Sequence, residues 1–318
     1  MAIPLQTRLF WAAFNRLGGT SILQLPPDRI PAARERRKGL IDLPGAAAVV
    51  GRAHPDVLIS MKTARGPDGD VPVRVYRPGG SVDDRLPLIV NFHGGGFVAG
   101  DPKQSEWWCS SIAHEVRAVV VSVDYRLAPE HPYPAAPEDC YAATAWAVER
   151  SADLGADGSR LAVMGDSAGG NLAAVVAVMA RDRGGPPIAL QLLVYPAVDH
   201  VNSYPSEVEN GSAPMLGTAD LKAAPLYCPG HESEPYASPL FAEHTGLAPA
   251  FIQTAQHDPL RDQGAAYAAA LRAAGVPVQV TNYVDGVHGF ISIPGVQPCA
   301  RQALGDAAIA LRSALAAA

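Results

Sequence analysis

Short apolar runs recur along this chain, separated by segments of helical spacing, and that alternation most narrows the folds open to it. Candidate strands are Val57–Thr63, Val71–Tyr76, Pro87–Phe92, Ala118–Val123, Leu161–Met164, Ala189–Tyr195, Ala250–Thr254 and Val278–Val284. Candidate helices run over Ser105–Arg117, Ala136–Arg150, Ala168–Asp182, Asp262–Ala274 and Ala300–Ala317. This order predicts a mostly parallel eight-stranded sheet with helices on both faces. Val, Ile and Leu dominate the middle strands, as expected where both faces are buried. The first two strands alternate more, and predict an antiparallel edge turned by Gly66-Pro67-Asp68-Gly69.

Two stretches have no place in that sheet. Residues 1–50 carry Leu5, Leu9, Phe10, Trp11 and Phe14 at mostly helical spacing, and about 198–235 is rich in Pro, Gly, Ser and Glu. Open α/β sheets bind ligands beyond the carboxyl ends of their strands. The two stretches are therefore expected to form a helical cap over that end. The catalytic core is then about 51–197 and 236–318, in one domain. Padding of core and surface is the blander reading of both stretches.

Composition removes several alternatives. Of the 318 residues, 48% are hydrophobic and 18% charged, which fits a large packed core and not a disordered chain. The net charge of -6 gives no electrostatic reason to expect a nucleic-acid or anionic-membrane partner. No run of about 18 uncharged apolar residues exists to insert in a membrane. Arg8 and Arg16 interrupt the apolar N-terminal stretch, so a signal peptide is not expected and cytoplasmic residence is. Cys109, Cys140, Cys228 and Cys299 lie too far apart for a zinc motif and read as small buried residues.

Gly165-Asp166-Ser167-Ala168-Gly169 carries the chemistry. An apolar strand precedes it and an Ala/Val/Leu helix follows. A sharp strand-to-helix reversal needs small residues on either side of its tip, and it lifts Ser167 to a helix N-terminus. His93-Gly94-Gly95-Gly96-Phe97 follows another strand, and its glycines let backbone N–H groups approach a ligand. These predict an oxyanion hole from Gly94, Gly95 and Ala168 N–H. A phosphate loop is the rival reading, but it lacks the G-K-[ST] or G-x-G-x-x-G continuation. His93 is expected to brace the loop.

A serine nucleophile needs a base, and the base an orienter. In the chain order serine, acid, histidine, His288 in Asp285-Gly-Val-His-Gly-Phe290 lies just past the last strand and is the expected base. His200, His231 and His244 fall in polar sequence and are expected to be solvated; His257 would break the order. Asp258, just past a strand, is the expected acid, with Asp199 the runner-up. Asp262 is expected to cap the next helix, and Asp166 to be structural. Trp107 and Trp108 either line the pocket or join the core, and Phe10, Trp11 and Phe14 either face the ligand or pack.

With these motifs in place, the chain resembles the bacterial hormone-sensitive-lipase-like esterases of the α/β-hydrolase fold, on the branch with Asp before the nucleophile. The matching residues are His93-Gly-Gly-Gly-Phe97, Asp124-Tyr-Arg-Leu-Ala-Pro-Glu130 with Pro132 to Ala135, Gly165-Asp-Ser-Ala-Gly-Gly-Asn171, Asp258-Pro-Leu-Arg-Asp262 and His288-Gly-Phe290. Gln263 departs from the Glu usual in that family, and Ala248-Pro249 from a common Pro-Pro. The resemblance implies an N-terminal cap, frequent homodimers, and small-molecule esters of short to medium acyl chains as substrates. It calls for no cofactor and no metal. An amidase or lactone hydrolase would use the same triad. A binding-only receptor of this fold, as in plant gibberellin receptors, would have lost the histidine that stands here as His288.

Overall fold

A computed structural model describes residues 2–16, 21–80 and 85–316. Eight strands form one sheet: β1 (Val57–Gly66), β2 (Gly69–Pro78), β3 (Leu86–Phe92), β4 (Val119–Val123), β5 (Ala156–Asp166), β6 (Leu190–Val194), β7 (Ala250–His257) and β8 (Val278–Val287). Their spatial order is β1-β2-β4-β3-β5-β6-β7-β8. The β1–β2 hairpin closes at Gly66–Gly69, β2 runs antiparallel to β4, and every other pair is parallel. Each of the eight expected strands is present.

Several strands outrun their apolar signal, β1, β2 and β7 by two or three residues at an end, and β5 and β8 in ways that bear on the site. β5 begins at Ala156, where a register shift against Pro87 and Leu88 carries it through the polar residues Asp157 to Arg160. β8 continues through Asp285 and Gly286, past an irregularity beside Ala255 and His257. That extra length sets the position of His288.

The helices are α1 (Leu5–Arg16), α2 (Ile30–Lys38), α3 (Ala47–Val50), α4 (Glu106–Val116), α5 (Ala135–Glu149), α6 (Ala168–Asp182), α7 (Pro205–Glu209), α8 (Ala224–Tyr227), α9 (Arg261–Ala273) and α10 (Cys299–Ala314). The expected end of the last helix, residue 317, lies outside the described residues. One core layer joins α5, α6 and α9 to the sheet through residues such as Cys140, Leu172, Val176 and Leu271. The other joins α4 and α10 through Trp107, Trp108, Ile112, Ala303 and Leu311. Trp107 and Trp108 therefore belong to the core and do not line the pocket. All four cysteines are buried.

α6 shows why the centre of the molecule is rigid. Residues 168 to 180 are all buried, and small Ala and Gly residues let the helix lie close on β5 and β6. Burying each of its Val and Leu side chains contributes on the order of 1.5–3 kcal/mol.

α1 behaves differently. Only Thr7 is buried, held by Val296 O at 2.5 Å and by the Gln297 amide at 3.1 Å. Phe10, Trp11 and Phe14 are half-buried and stack on one another, with centroids 5.2–6.5 Å apart. They neither line the cleft nor join the core clusters. Downstream, Ile22, Ile30 and Ala33 pack on Val98 and Ala128 in a small third cluster. Among the described residues, no helix is long and apolar enough to cross a membrane.

Candidate active site

Ser167 sits between β5 and α6 with φ 55° and ψ −118°, a backbone that non-glycine residues seldom adopt. The surroundings hold it there. Its N–H donates to Val194 O at 2.9 Å, and Asn171 N–H donates to its carbonyl at 3.0 Å. A Cβ on Gly169 would lie 1.9 Å from Phe92 O, and one on Gly165 2.1 Å from Gly169 O. The turn closes only with glycine at both places.

The β7 and β8 ends deliver two more side chains to this tip. His288 Nε2 lies 2.9 Å from Ser167 Oγ, and its Nδ1 lies 2.8 Å from Asp258 Oδ2. Asp258 is fully buried, and its Oδ1 accepts the Leu260 N–H at 2.8 Å. A carboxylate acts as acceptor, which assigns the imidazole proton to Nδ1 and leaves Nε2 facing the hydroxyl. The three residues expected to act together are brought together, spread over 121 positions of sequence.

The runner-up acid is elsewhere. Asp199 accepts hydrogen bonds from Val201 N, Asn202 N, Asn202 Nδ2 and Tyr204 Oη. Burial pushes its carboxyl up, but these donors outweigh it and hold the group below its ordinary value. Gln263, the departure from the family pattern, accepts Val198 N–H and Asp199 N–H through Oε1 at 3.0 and 3.1 Å. It fastens the chain leaving β6.

The glycine loop requires a correction. Gly94 N–H donates to Asp166 Oδ1 at 2.9 Å, so this donor is occupied and cannot serve an oxyanion. Gly95, with φ 131°, and Gly96, with φ 62°, keep backbone N–H groups without an acceptor among the described residues. With Ala168 N–H at the start of α6, they are the available donors. A Cβ on Gly95 would meet Ala99 O at 2.1 Å. Burial raises Asp166 to about 6, against the pull of the Gly94 N–H. Gln104 Nε2 donates to Gly94 O at 2.8 Å from the other side. His93 is fully buried, stacked on Tyr125 at 4.3 Å, with Nδ1 2.9 Å from Gly94 O. Burial lowers it to about 4, so it stands neutral as a brace.

Three further expectations change. His200 is half-buried rather than solvated; it lines the cleft beside Phe97 and Tyr227, and burial lowers it to about 4. His244 is buried with Nε2 3.1 Å from Pro239 O, whereas His231 is exposed and pairs with Glu234. Asp262 lies inside the first turn of α9, whose N-cap is Leu260. Its Oδ2 accepts Ser206 N–H at 2.9 Å, tying α7 to α9.

A cleft of about 600 Å³ opens over Ser167 and His288. Ile22, Leu23, Ile41 and Val50 line it from the N-terminal stretch, with Met215 and Leu216 from the 198–235 stretch. The two stretches touch: residues 22–24 meet 218–223, and Gln24 Nε2 donates to Asp220 Oδ1 at 2.8 Å. Leu23 also lies against Gly96, where an added Cβ would come within 2.5 Å of Leu23 Cδ2.

Residues 89–292 match a family model described as an alpha/beta hydrolase fold. Esterase LipI of Mycobacterium tuberculosis is 45% identical over 294 residues, 91% of this chain and 89% of that protein. Carboxylesterase NlhH of the same species is 47% identical over 270 residues, 82% and 84% of the two chains. A thermostable esterase from Pseudomonas putida superposes with a TM-score of 0.90 at 33% identity, covering 100% of this chain and 99% of that one.

Proposed function

This chain belongs to the hormone-sensitive-lipase-like esterases of the α/β-hydrolase family and is a serine carboxylesterase, and we propose that Ser167, His288 and Asp258 carry its reaction. The observation that supports this reading is the unbroken hydrogen-bonded relay from Ser167 Oγ through His288 to Asp258.

In the proposed mechanism, Ser167 Oγ attacks the ester carbonyl as His288 Nε2 takes the hydroxyl proton. Asp258 stays ionised and stabilises the imidazolium. The carbonyl oxygen becomes an oxyanion facing the N–H groups of Gly95, Gly96 and Ala168, in a site partly shielded from water. Collapse breaks the bond to the leaving alkoxide, which receives the proton from Nε2 and departs as alcohol. Water then attacks the acyl-serine with the same base, and Ser167 leaves with its proton restored while the carboxylic acid departs.

The substrates proposed are esters of short to medium acyl chains. The closeness of Leu23 to Gly96 and the 600 Å³ cleft support a bounded acyl site under a cap made of residues 1–50 and 198–235. Cytoplasmic residence and a homodimer belong to the same proposal; cell fractionation and light scattering measure them.

A panel of p-nitrophenyl esters from C2 to C12 tests the reading. Turnover should peak at short to medium chains and vanish in Ser167→Ala. A steady rise to the longest ester contradicts the substrate class, and full turnover by Ser167→Ala contradicts the nucleophile.

A further inference from the structure

Away from the cleft, the loop entering β1 meets the last turn of α4. His54 and His114 stack there with ring centroids 3.7 Å apart and planes 20° from parallel. Asp56 Oδ2 lies 4.0 Å from His54 Nδ1. One ligand atom from each of His54, Asp56 and His114 falls within 4.8 Å of the others. The backbone is fixed on both sides. His54 N–H donates to Ser110 Oγ at 2.9 Å, and Ser110 lies one helical turn before His114 on the same face of α4. Asp56 N–H in turn donates to His54 Nδ1 at 3.3 Å. An open hollow bordered by Asp56, Gly79, His114, Glu115 and Arg117 runs alongside, giving access from solvent.

We propose that His54, Asp56 and His114 form a binding site for a divalent transition-metal ion of the zinc class, clamping the entry of β1 to α4. Two imidazoles and a carboxylate are a donor set suited to Zn2+, with water in the fourth position. Ligands at about 2.0–2.2 Å from a tetrahedral ion stand within the 4.8 Å already spanned here. Lone pairs of stacked rings run side by side, so binding turns the rings out of the stack. Both histidines are half-exposed and Asp56 is exposed, which leaves room for that rotation. The clamp joins the entry of β1 to the C-terminal end of α4, whereas the cleft lies beyond the carboxyl ends of β5, β7 and β8. It is therefore structural, and the esterase reaction does not pass through it.

The test uses the full chain without a histidine tag, stripped by chelator and titrated with ZnCl2 by calorimetry. One Zn2+ should bind per chain, and His54→Ala or His114→Ala should each weaken binding at least tenfold, while His231→Ala leaves it unchanged. Zn2+ should raise the melting temperature of the unsubstituted protein and not that of His114→Ala. Esterase activity retained in both variants shows that they fold. Equal affinity in His114→Ala, or an absence of stoichiometric binding, overturns the site.

Discussion

At the scale of single residues, Asp166 does work that its neighbourhood in sequence does not reveal. Its carboxylate reaches 72 positions back to the Gly94 N–H, joining the nucleophile turn to the oxyanion loop. The motifs pointed to the glycine stretch but could not say which N–H groups were already engaged, because the competing acceptor is remote in the chain. Only the folded contact moves the donor set from Gly94 and Gly95 to Gly95 and Gly96. The same blindness affected His200 and His244: polar sequence around them suggested solvent, whereas His200 packs against Phe97 and Tyr227 and His244 against Pro239 and Tyr267, partners remote or unmarked in the sequence. The raised value of Asp166, about 6 against 3.8 when unfolded, has a definite sign. Its contribution to stability is complete below the unfolded value and is lost as pH rises through about 6. Asp166→Asn keeps an acceptor for Gly94 without that proton equilibrium. From pH 4 to 7 the variant should gain on the order of 2 kcal/mol relative to the unsubstituted protein, read by guanidinium unfolding at each pH. An identical difference at the two pH values contradicts this.

At the scale of elements, the strands and long helices were legible because buried parallel strands are written as apolar runs and their crossovers as helical spacing. The β5 and β8 extensions were not, since polar residues can pair in a sheet without an apolar signal. α1 misled in a different way: its aromatic residues stack together on the surface, satisfying the helical spacing without entering a core or the cleft. α2 is secured instead by Arg34, whose guanidinium donates to Val98 O, Ala128 O and both oxygens of Glu130. These bonds hold the N-terminal stretch on the loop that follows the glycines. Arg34→Ala should loosen α2, destabilise the fold by about 1–3 kcal/mol and raise KM more than it lowers kcat. Thermal unfolding and initial rates measure both; unchanged KM contradicts the role assigned to this contact.

At the scale of the whole molecule, a sheet with β5, β7 and β8 ending on one side gathers residues 167, 258 and 288 that no local pattern places together. The order of the motifs implied their meeting, and the parallel register provides it. The proton balance is also a property of the whole. His93 and His200, lowered to about 4 by burial, lose stability as pH falls from about 6.5 towards 4, opposite in sign to Asp166. Over that window Asp166 offsets part of the loss from the two histidines. The central claim is that Ser167 and His288 act as one unit. The direct measurement is kcat for Ser167→Ala, His288→Ala and the double variant. Each single substitution should lower kcat by about 10^6, with the double variant little lower than either. Multiplicative losses in the double variant, or a His288→Ala enzyme near full activity, contradict the account.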